Sequence, residues 1–265
     1  MSMFWVYSLP TWLFGVLTIG TFVFVGVGGM FLTRKWARGL HFEDHSHNDI
    51  VGFFLGAVTV FYGVTLGLMS VGAWTTHTDA EMKVAQEAAS LAALYRDVSS
   101  YPVERRTELQ EGLRHYTREV IDVAWPAQRR GTIPPGGIEL LDAFQKKLVV
   151  FEPSSEGQKI LHAEAYREYD RLVEFRRLRL QSVTGGLSAA LWFMLLGGAF
   201  ICIAITWFFY MRNQSMHFWM TVLLSALLGL LIFELATIDY PFRGDMSVGP
   251  DAFVTVYEQL MKPGG

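Results

Sequence analysis

The sequence predicts an all-α protein with four transmembrane helices and a helical-bundle insertion between spans two and three. Four stretches contain no charged residue, at 1–33, 50–78, 181–211 and 213–233. Each provides the roughly 20 apolar residues needed to cross a hydrocarbon core of about 30 Å. Most of the 22 basic and 25 acidic side chains fall instead between residues 76 and 182. No segment alternates with a period of two for long enough to indicate a strand.

These patterns divide the chain into four parts. Residues 1–75 hold spans one and two, 76–182 form the polar helical insertion, 183–238 hold spans three and four, and 239–265 form a C-terminal tail. Span one has neither a basic n-region nor a small-residue cleavage site, so we expect a span and not a cleaved signal peptide. Cys202 is the only cysteine, which excludes an intrachain disulfide.

Span two is expected to leave the membrane without a break. No Gly or Pro occurs between Ala73 and Tyr101, and the apolar residues there step by 4, 3, 4 and 3. This spacing predicts one helix of about 50 residues, with a length of about 75 Å. Long helices are thus continuous with the spans. The apolar positions in this part are Val84, Ala88, Leu91, Tyr95 and Val98.

Three further helices are predicted in the insertion. Ser99, Ser100 and Pro102 end the long helix and start the next, because Pro is tolerated in a first turn. A Pro/Gly turn at 132–137 precedes a third helix that reaches Phe151. After a cap at Ser154-Ser155, a fourth runs from about Gly157 into span three, with an interruption at Gly185-Gly186.

Span two also carries a stripe of small and polar residues, which we name the glycine ladder. Its steps of 4, 4, 3, 4, 4 and 3 place all seven members on one helical face. Such a face either packs closely against another helix or lines a pore. The small-xxx-small pairs favour packing, whereas the hydroxyls of Thr59 and Ser70 favour a wet face, so both interpretations stay open. The ladder consists of Asn48, Gly52, Gly56, Thr59, Gly63, Gly67 and Ser70.

Three acidic residues at the ends of spans are candidates for a charged pore or gate: Asp49, Glu234 and Asp239. An ionisable group at membrane depth is costly and therefore suggests function. The alternative is that Glu234 and Asp239 lie at headgroup level and only mark the helix end.

The loop between spans one and two is rich in His and acids, and could bind a divalent metal or respond to pH. Its spacing matches no metal signature, and we predict no metal site. The loop residues are His41, Glu43, Asp44, His45, His47 and Asp49. No nucleophile elbow, P-loop, CxxC, HExxH or dinucleotide fingerprint occurs, so we predict neither an enzyme nor a cofactor. The paired arginines alternate with acids and the net charge is -3, which argues against nucleic-acid binding.

Several short motifs together resemble one family. Tyr62-Gly63-Val64-Thr65-Leu66-Gly67 leads through Trp74 to Glu87-Ala88-Ala89-Ser90-Leu91, and Trp125-Pro126 follows. The chain closes with Asp239-Tyr240-Pro241-Phe242-Arg243-Gly244 and then Val248, Pro250 and Phe253. This order resembles the bestrophin-like family of bacterial membrane proteins over roughly residues 45–255. Members of that family often have an acid before the Trp-Pro pair, where this chain has Ala124.

The resemblance implies a channel, because bestrophins are pentameric anion channels whose second span lines the pore. It would place the glycine ladder along the conduction path. The phenylalanine neck of bestrophins is not matched, because Phe53, Phe54 and Phe61 lie off the small-residue face.

We therefore predict a homo-oligomeric ion channel, a pentamer by analogy, whose partners are itself, the lipid bilayer and a permeant inorganic ion. Anions are slightly favoured over cations, although Asp49 and Glu234 would favour cations if they faced the pore. The alternatives are a non-conducting signalling or scaffold protein, in which the ladder is only helix packing, and a transporter.

The resemblance also implies the bacterial inner membrane. Arg34, Lys35 and Arg38 in the first short loop put the insertion outside the cytoplasm by the positive-inside rule. The basic residues just before span three, and the resemblance, put it inside, and we favour a cytoplasmic insertion.

Overall fold

The computed structural model describes residues 7, 9–39, 45–211 and 213–262. No strand occurs in these ranges, and the predicted all-α class is confirmed. The helices are α1 (Thr11–Gly39), α2 (His45–Asp97), α3 (Val103–Arg118), α4 (Trp125–Arg129), α5 (Gly136–Val149), α6 (Glu156–Val183), α7 (Ala189–Thr206), α8 (Gln214–Ile238) and α9 (Asp251–Val256). Four of them are long and apolar enough to cross a membrane: α1, α2, α7 and α8.

Helix α2 confirms the prediction of one helix that continues past the membrane. It has 53 residues, which corresponds to about 80 Å. A 3-10 turn at Val98–Ser100 ends it, and α3 begins directly after Pro102. At the other end of the insertion, the Ser155 hydroxyl caps α6 by accepting from the Gln158 amide at 3.2 Å. The predicted break around Gly185-Gly186 is also present, since α6 ends at Val183.

The helix after Pro102 differs from the prediction because its last part is a π-helix and not an α-helix. A π-helix at Glu119–Ala124 separates α3 from α4. The cause lies in Trp125-Pro126, since a proline has no N–H to donate and its ring clashes with the carbonyl four residues earlier. The wider turn relieves this clash, and the Trp125 amide bonds the Val120 carbonyl five residues back.

The chain forms two compact units. The span unit comprises Met1–Thr75 and Gly186–Asp239, and the insertion unit comprises Thr76–Gly185 and Tyr240–Gly265. The predicted tail thus groups with the insertion, where Phe242, Phe253 and Met261 are fully buried.

In the span unit, glycines of α1 and α8 allow these two helices to approach closely. A Cβ atom built on Gly26 would lie 2.2 Å from the Ser225 hydroxyl, and one built on Gly229 would lie 3.0 Å from the Ile19 backbone. On α7, a Cβ at Gly198 would lie 2.6 Å from the Tyr62 ring of α2. At these positions glycine lets two helices pack closely, as small residues commonly do between membrane helices.

In the insertion unit, one apolar core holds the helices together. The periodic residues of α2 that predicted its continuation, among them Val84, Leu91 and Val98, are buried in this core. Residues of α3, α5, α6 and the C-terminal segment complete it, including Leu113, Phe144 and Leu172.

Candidate functional site

The glycine ladder lies beside the face through which α2 packs in the span unit. Tyr62, Leu66 and Ala73 are buried on that face, and the Tyr62 hydroxyl donates to the Leu195 carbonyl at 3.2 Å. Each ladder member from Gly52 onward follows directly after a residue of this face. One residue corresponds to about 100° of rotation, so the ladder lies to one side of the packed face. The residues of the packed face are Val51, Leu55, Val58, Tyr62, Leu66, Met69 and Ala73.

Among the described residues, the ladder glycines leave open space where a side chain would begin. A Cβ atom built on Gly52, Gly56, Gly63 or Gly67 meets nothing within 4 Å. In contrast, the same construction at Gly26, Gly29 and Gly198 produces clashes below 3 Å. Packing within the chain therefore explains the second set and leaves the ladder as an open strip.

Two polar members of the ladder have side chains that are already hydrogen-bonded within the chain. Thr59 donates to the Leu55 carbonyl at 2.7 Å, so its hydroxyl is satisfied by its own helix and no longer argues for a wet face. The Asn48 side chain binds both backbone groups of Tyr210, accepting from its N–H at 3.0 Å and donating to its C=O at 2.7 Å. Asn48 thus holds the segment between α7 and α8.

The three acidic candidates lie in different surroundings. Asp49 and Glu234 are exposed. Asp239 is only 3% exposed and accepts two hydrogen bonds, from the Leu187 amide at 2.6 Å and the Trp192 indole at 3.0 Å. Those bonds tie the end of α8 to the beginning of α7.

Three of the six members of the histidine loop, His41, Glu43 and Asp44, lie outside the described residues. Of its members, His47 lies at the start of α2 and its Nε2 is 3.0 Å from the Phe208 carbonyl, to which it donates. No cluster of three or more potential metal ligands occurs within the part of the chain that the structure describes.

A buried polar cluster in the insertion unit was not predicted. It consists of Glu87 on α2, Tyr116 on α3, Gln128 on α4 and Arg179 on α6, and each is at most 1% exposed. Arg179 binds both carboxylate oxygens of Glu87, at 2.5 and 3.1 Å. Its remaining terminal nitrogen donates to the Gln128 amide oxygen at 2.6 Å. The Tyr116 hydroxyl donates to Glu87 at 2.6 Å.

The opposite charges of Arg179 and Glu87 neutralise each other inside this cluster. Burial alone would lower the pKa of Arg179, but the Glu87 charge and its hydrogen bonds outweigh burial and raise it. Burial raises the pKa of Tyr116, and the neighbouring Glu87 charge raises it further. The guanidinium also lies 5.2 Å from the Trp125 ring centroid. Every side-chain nitrogen of Arg179 and both oxygens of Glu87 have a hydrogen-bond partner, so we assign the cluster to the architecture of the insertion unit.

The sequence contained a weak signal for this cluster. Arg179 lies in step with Leu172 and Val183 on the buried face of α6, whereas its neighbour Arg177 is exposed. A charged residue in a row of apolar ones indicates a buried ion pair. The partner, however, is 92 residues away along the chain and only the fold brings it near.

Residues 20–253 match the Bestrophin-like domain family. No curated protein shows significant sequence similarity to the chain.

Among solved structures, the chain is similar to a bacterial bestrophin homologue from Klebsiella pneumoniae, with a TM-score of 0.70 and 10% identity over 93% of this chain and 96% of that one. A point variant of that homologue gives the same TM-score and identity, over 93% of this chain and 97% of the variant. A variant described only as a membrane protein gives a TM-score of 0.71 and 10% identity over 93% and 97%. At this identity the likeness shows a common fold, while the family match covers most of the sequence. The chain is a multi-pass membrane protein that belongs to the bestrophin-like family.

Proposed function

We propose that the chain forms a homo-oligomeric ion channel in which the glycine ladder of α2 lines the conduction path. The supporting observation is that a Cβ added at Gly52, Gly56, Gly63 or Gly67 would meet no atom within 4 Å in the described ranges. Glycine in a helix interior is destabilising by roughly 0.5–1 kcal/mol relative to alanine, so an unpacked row of four has a cost without a local benefit. A benefit outside the chain, such as a narrow path bounded by copies of α2, accounts for the row.

The finer features of the proposal follow the bestrophin analogy. That analogy favours a pentamer, anion conduction, the bacterial inner membrane and a cytoplasmic insertion. Asp49 and Glu234 are exposed and would oppose anion entry if they faced the path. Measurement of the reversal potential under bi-ionic conditions decides the sign of the permeant ion.

The test is ion flux through the purified chain in liposomes. Gly63→Leu, alone and with Gly67→Leu, places bulky side chains on the ladder and is expected to remove most of the flux while the oligomer survives. Gly72→Leu is the matched control. Its Cβ also meets nothing within 4 Å. It lies nine residues after Gly63, which is about two and a half turns, and so points to the opposite side of α2.

Three outcomes would contradict the proposal. Absence of flux in the unaltered protein excludes a channel and favours the signalling or scaffold alternative. Loss of the oligomer in Gly63→Leu assigns the ladder to packing between copies. Equal flux in Gly63→Leu and Gly72→Leu removes the ladder from the conduction path.

A further inference from the structure

A small cavity in the span unit is lined by a cationic side chain that has no counter-charge among the described residues. The cavity has a volume of about 30 Å³ and its lining includes Arg34 of α1, Trp207, Tyr210, and Gln214 and His217 of α8. A water molecule needs roughly 10–15 Å³ by this measure, so the space admits a small polar group.

Arg34 is the residue that indicates the ligand. Its Nε atom is shielded from solvent and has no hydrogen-bond partner in the described ranges. Within the same ranges no carboxylate lies within 4 Å of its guanidinium. A buried donor without a partner costs about 1–3 kcal/mol, and more when the group is charged. An anion in the cavity would supply the counter-charge that the guanidinium lacks within these ranges.

The helix that begins at this cavity also favours an anion. Gln214 is the first residue of α8, a helix of 25 residues, and His217 lies in its first turn. The first free amides are already bound, because the Asn213 side chain accepts from Ser215 and Met216 at 3.1 and 3.3 Å. The contribution of the helix is therefore its positive end, which acts as a field and not through direct bonds.

The walls of the cavity are fixed by bonds that do not involve a ligand. The Trp207 indole donates to the Gly26 carbonyl at 2.9 Å, and a Cβ built on Gly29 would lie 2.0 Å from the Trp207 ring. The His217 Nε2 lies 2.9 Å from the Thr206 carbonyl and donates to it. A rigid site loses little conformational entropy on binding.

The position in the sequence points to the membrane surface. Arg34 ends the apolar stretch of α1 and Gln214 begins that of α8. Trp207 and Tyr210 lie between α7 and α8, and such amphipathic rings are typical of the headgroup level. Phospholipid headgroups supply phosphate at this level, and the planar guanidinium matches two phosphate oxygens.

We propose that the Arg34 cavity binds a phosphate group, supplied either by the headgroup of an anionic phospholipid or by free phosphate. This proposal rests on the span unit alone and is independent of conduction. The assay uses the full chain in detergent. Native mass spectrometry compares phosphatidylglycerol with phosphatidylcholine, and thermal unfolding compares sodium phosphate with sodium chloride at equal ionic strength.

The expected result is preferential retention of phosphatidylglycerol, or a rise in Tm with phosphate, in the unaltered protein. Arg34→Gln is expected to lower the apparent affinity about tenfold, the equivalent of one lost charge-assisted hydrogen bond. Arg34→Lys should recover part of it, since lysine keeps the charge but not the fork. Arg177→Gln is the matched control, because it removes one charge from an exposed residue of the insertion unit.

Each outcome decides the proposal. Phosphatidylglycerol retention without a phosphate effect supports the lipid, and a phosphate effect supports the free anion. If Arg34→Gln fails to fold, the comparison of lipids on the unaltered protein and on Arg34→Lys replaces it. The proposal is overturned if neither phosphate source binds the unaltered protein, or if Arg34→Gln binds as Arg177→Gln does.

Discussion

The two halves of α2 differ in whether their unusual residues, glycines in one half and a buried acid in the other, have partners within the chain. In the span unit the helix carries four glycines at which an added Cβ would meet no described atom within 4 Å. In the insertion unit the same helix buries Glu87 completely and gives both of its oxygens partners. A residue that is costly for its place but fully partnered is explained by its own chain. A residue that is costly and has no partner suggests a function outside that chain.

The largest effect should come from the partnered half. Arg179→Met would leave Glu87 buried without its counter-charge, at an expected cost of about 3–5 kcal/mol in the free energy of unfolding. The double variant Glu87→Gln/Arg179→Met should be more stable than the single one, because no charge remains unpaired. Denaturant unfolding followed by intrinsic fluorescence measures both.

The control for this prediction is the exposed pair of Arg167 and Glu164. Arg167→Met should change the free energy of unfolding by about 0–1 kcal/mol, as solvent screens that pair. Similar costs for Arg167→Met and Arg179→Met would mean that the buried polar cluster does not support the insertion unit.

A smaller effect should separate packed glycines from ladder glycines. Gly198→Ala drives a methyl group to within 2.6 Å of the Tyr62 ring, and we expect a loss of about 1–3 kcal/mol. The new methyl group of Gly63→Ala, next to Tyr62 on α2, meets no described atom within 4 Å, so this variant should be neutral or more stable by up to about 1 kcal/mol. Thermal unfolding of the purified oligomer compares the two. If Gly63→Ala destabilises as much as Gly198→Ala, the ladder is packed against another copy.

The smallest effect concerns a carboxyl group that is buried without a partner. Both oxygens of Glu119 are shielded and have no hydrogen bond in the described ranges. Burial raises the pKa of Glu119 above 4.5, although Arg176 and Arg179 oppose the rise. Below the unfolded pKa, Glu119 is protonated in both the folded and the unfolded state, and its burial costs no stability. Stability is lost as the pH rises through the folded pKa, because the unfolded state then releases its proton more readily.

Glu119→Gln should therefore match the unaltered protein at low pH and exceed it in stability as the pH rises. Unfolding between about pH 4 and about pH 8 tests this. Glu108 is the control of opposite sign, because the hydrogen bond from Lys147 lowers its pKa. The ionised Glu108 side chain stabilises the fold above its unfolded pKa of 4.5, and this stabilisation is lost as the pH falls through the folded pKa. Glu108→Gln should therefore be less stable than the unaltered protein at neutral pH. An equal pH profile for the two variants would contradict both assignments.

Local patterns predicted most of the fold. The length of α2 followed from the absence of Gly and Pro and from one apolar periodicity, and both are properties of neighbouring residues. The cap at Ser155 and the break after Val183 followed for the same reason. The π-helix was missed because proline tells where a helix is disturbed, but not how the backbone adapts.

The candidate site residues and the buried polar cluster were less accessible to such reasoning. The ladder was visible as a period, yet its openness depends on where α7 and α8 lie. The buried polar cluster depends on a pairing across 92 residues, and its arginine lies among others that are solvated. The Arg34 cavity likewise requires α1 and α8 to meet, which no local period reveals.

The open strip on α2 has a chemical consequence. Where glycine replaces a side chain, the surface of a helix consists of peptide groups, and their carbonyls are already bonded along the helix. An ion that moved along such a surface would find weak dipoles of nearly equal strength at every level, and no deep binding site. We therefore expect throughput to depend steeply on the width of the strip, and discrimination between ions of one charge to be poor.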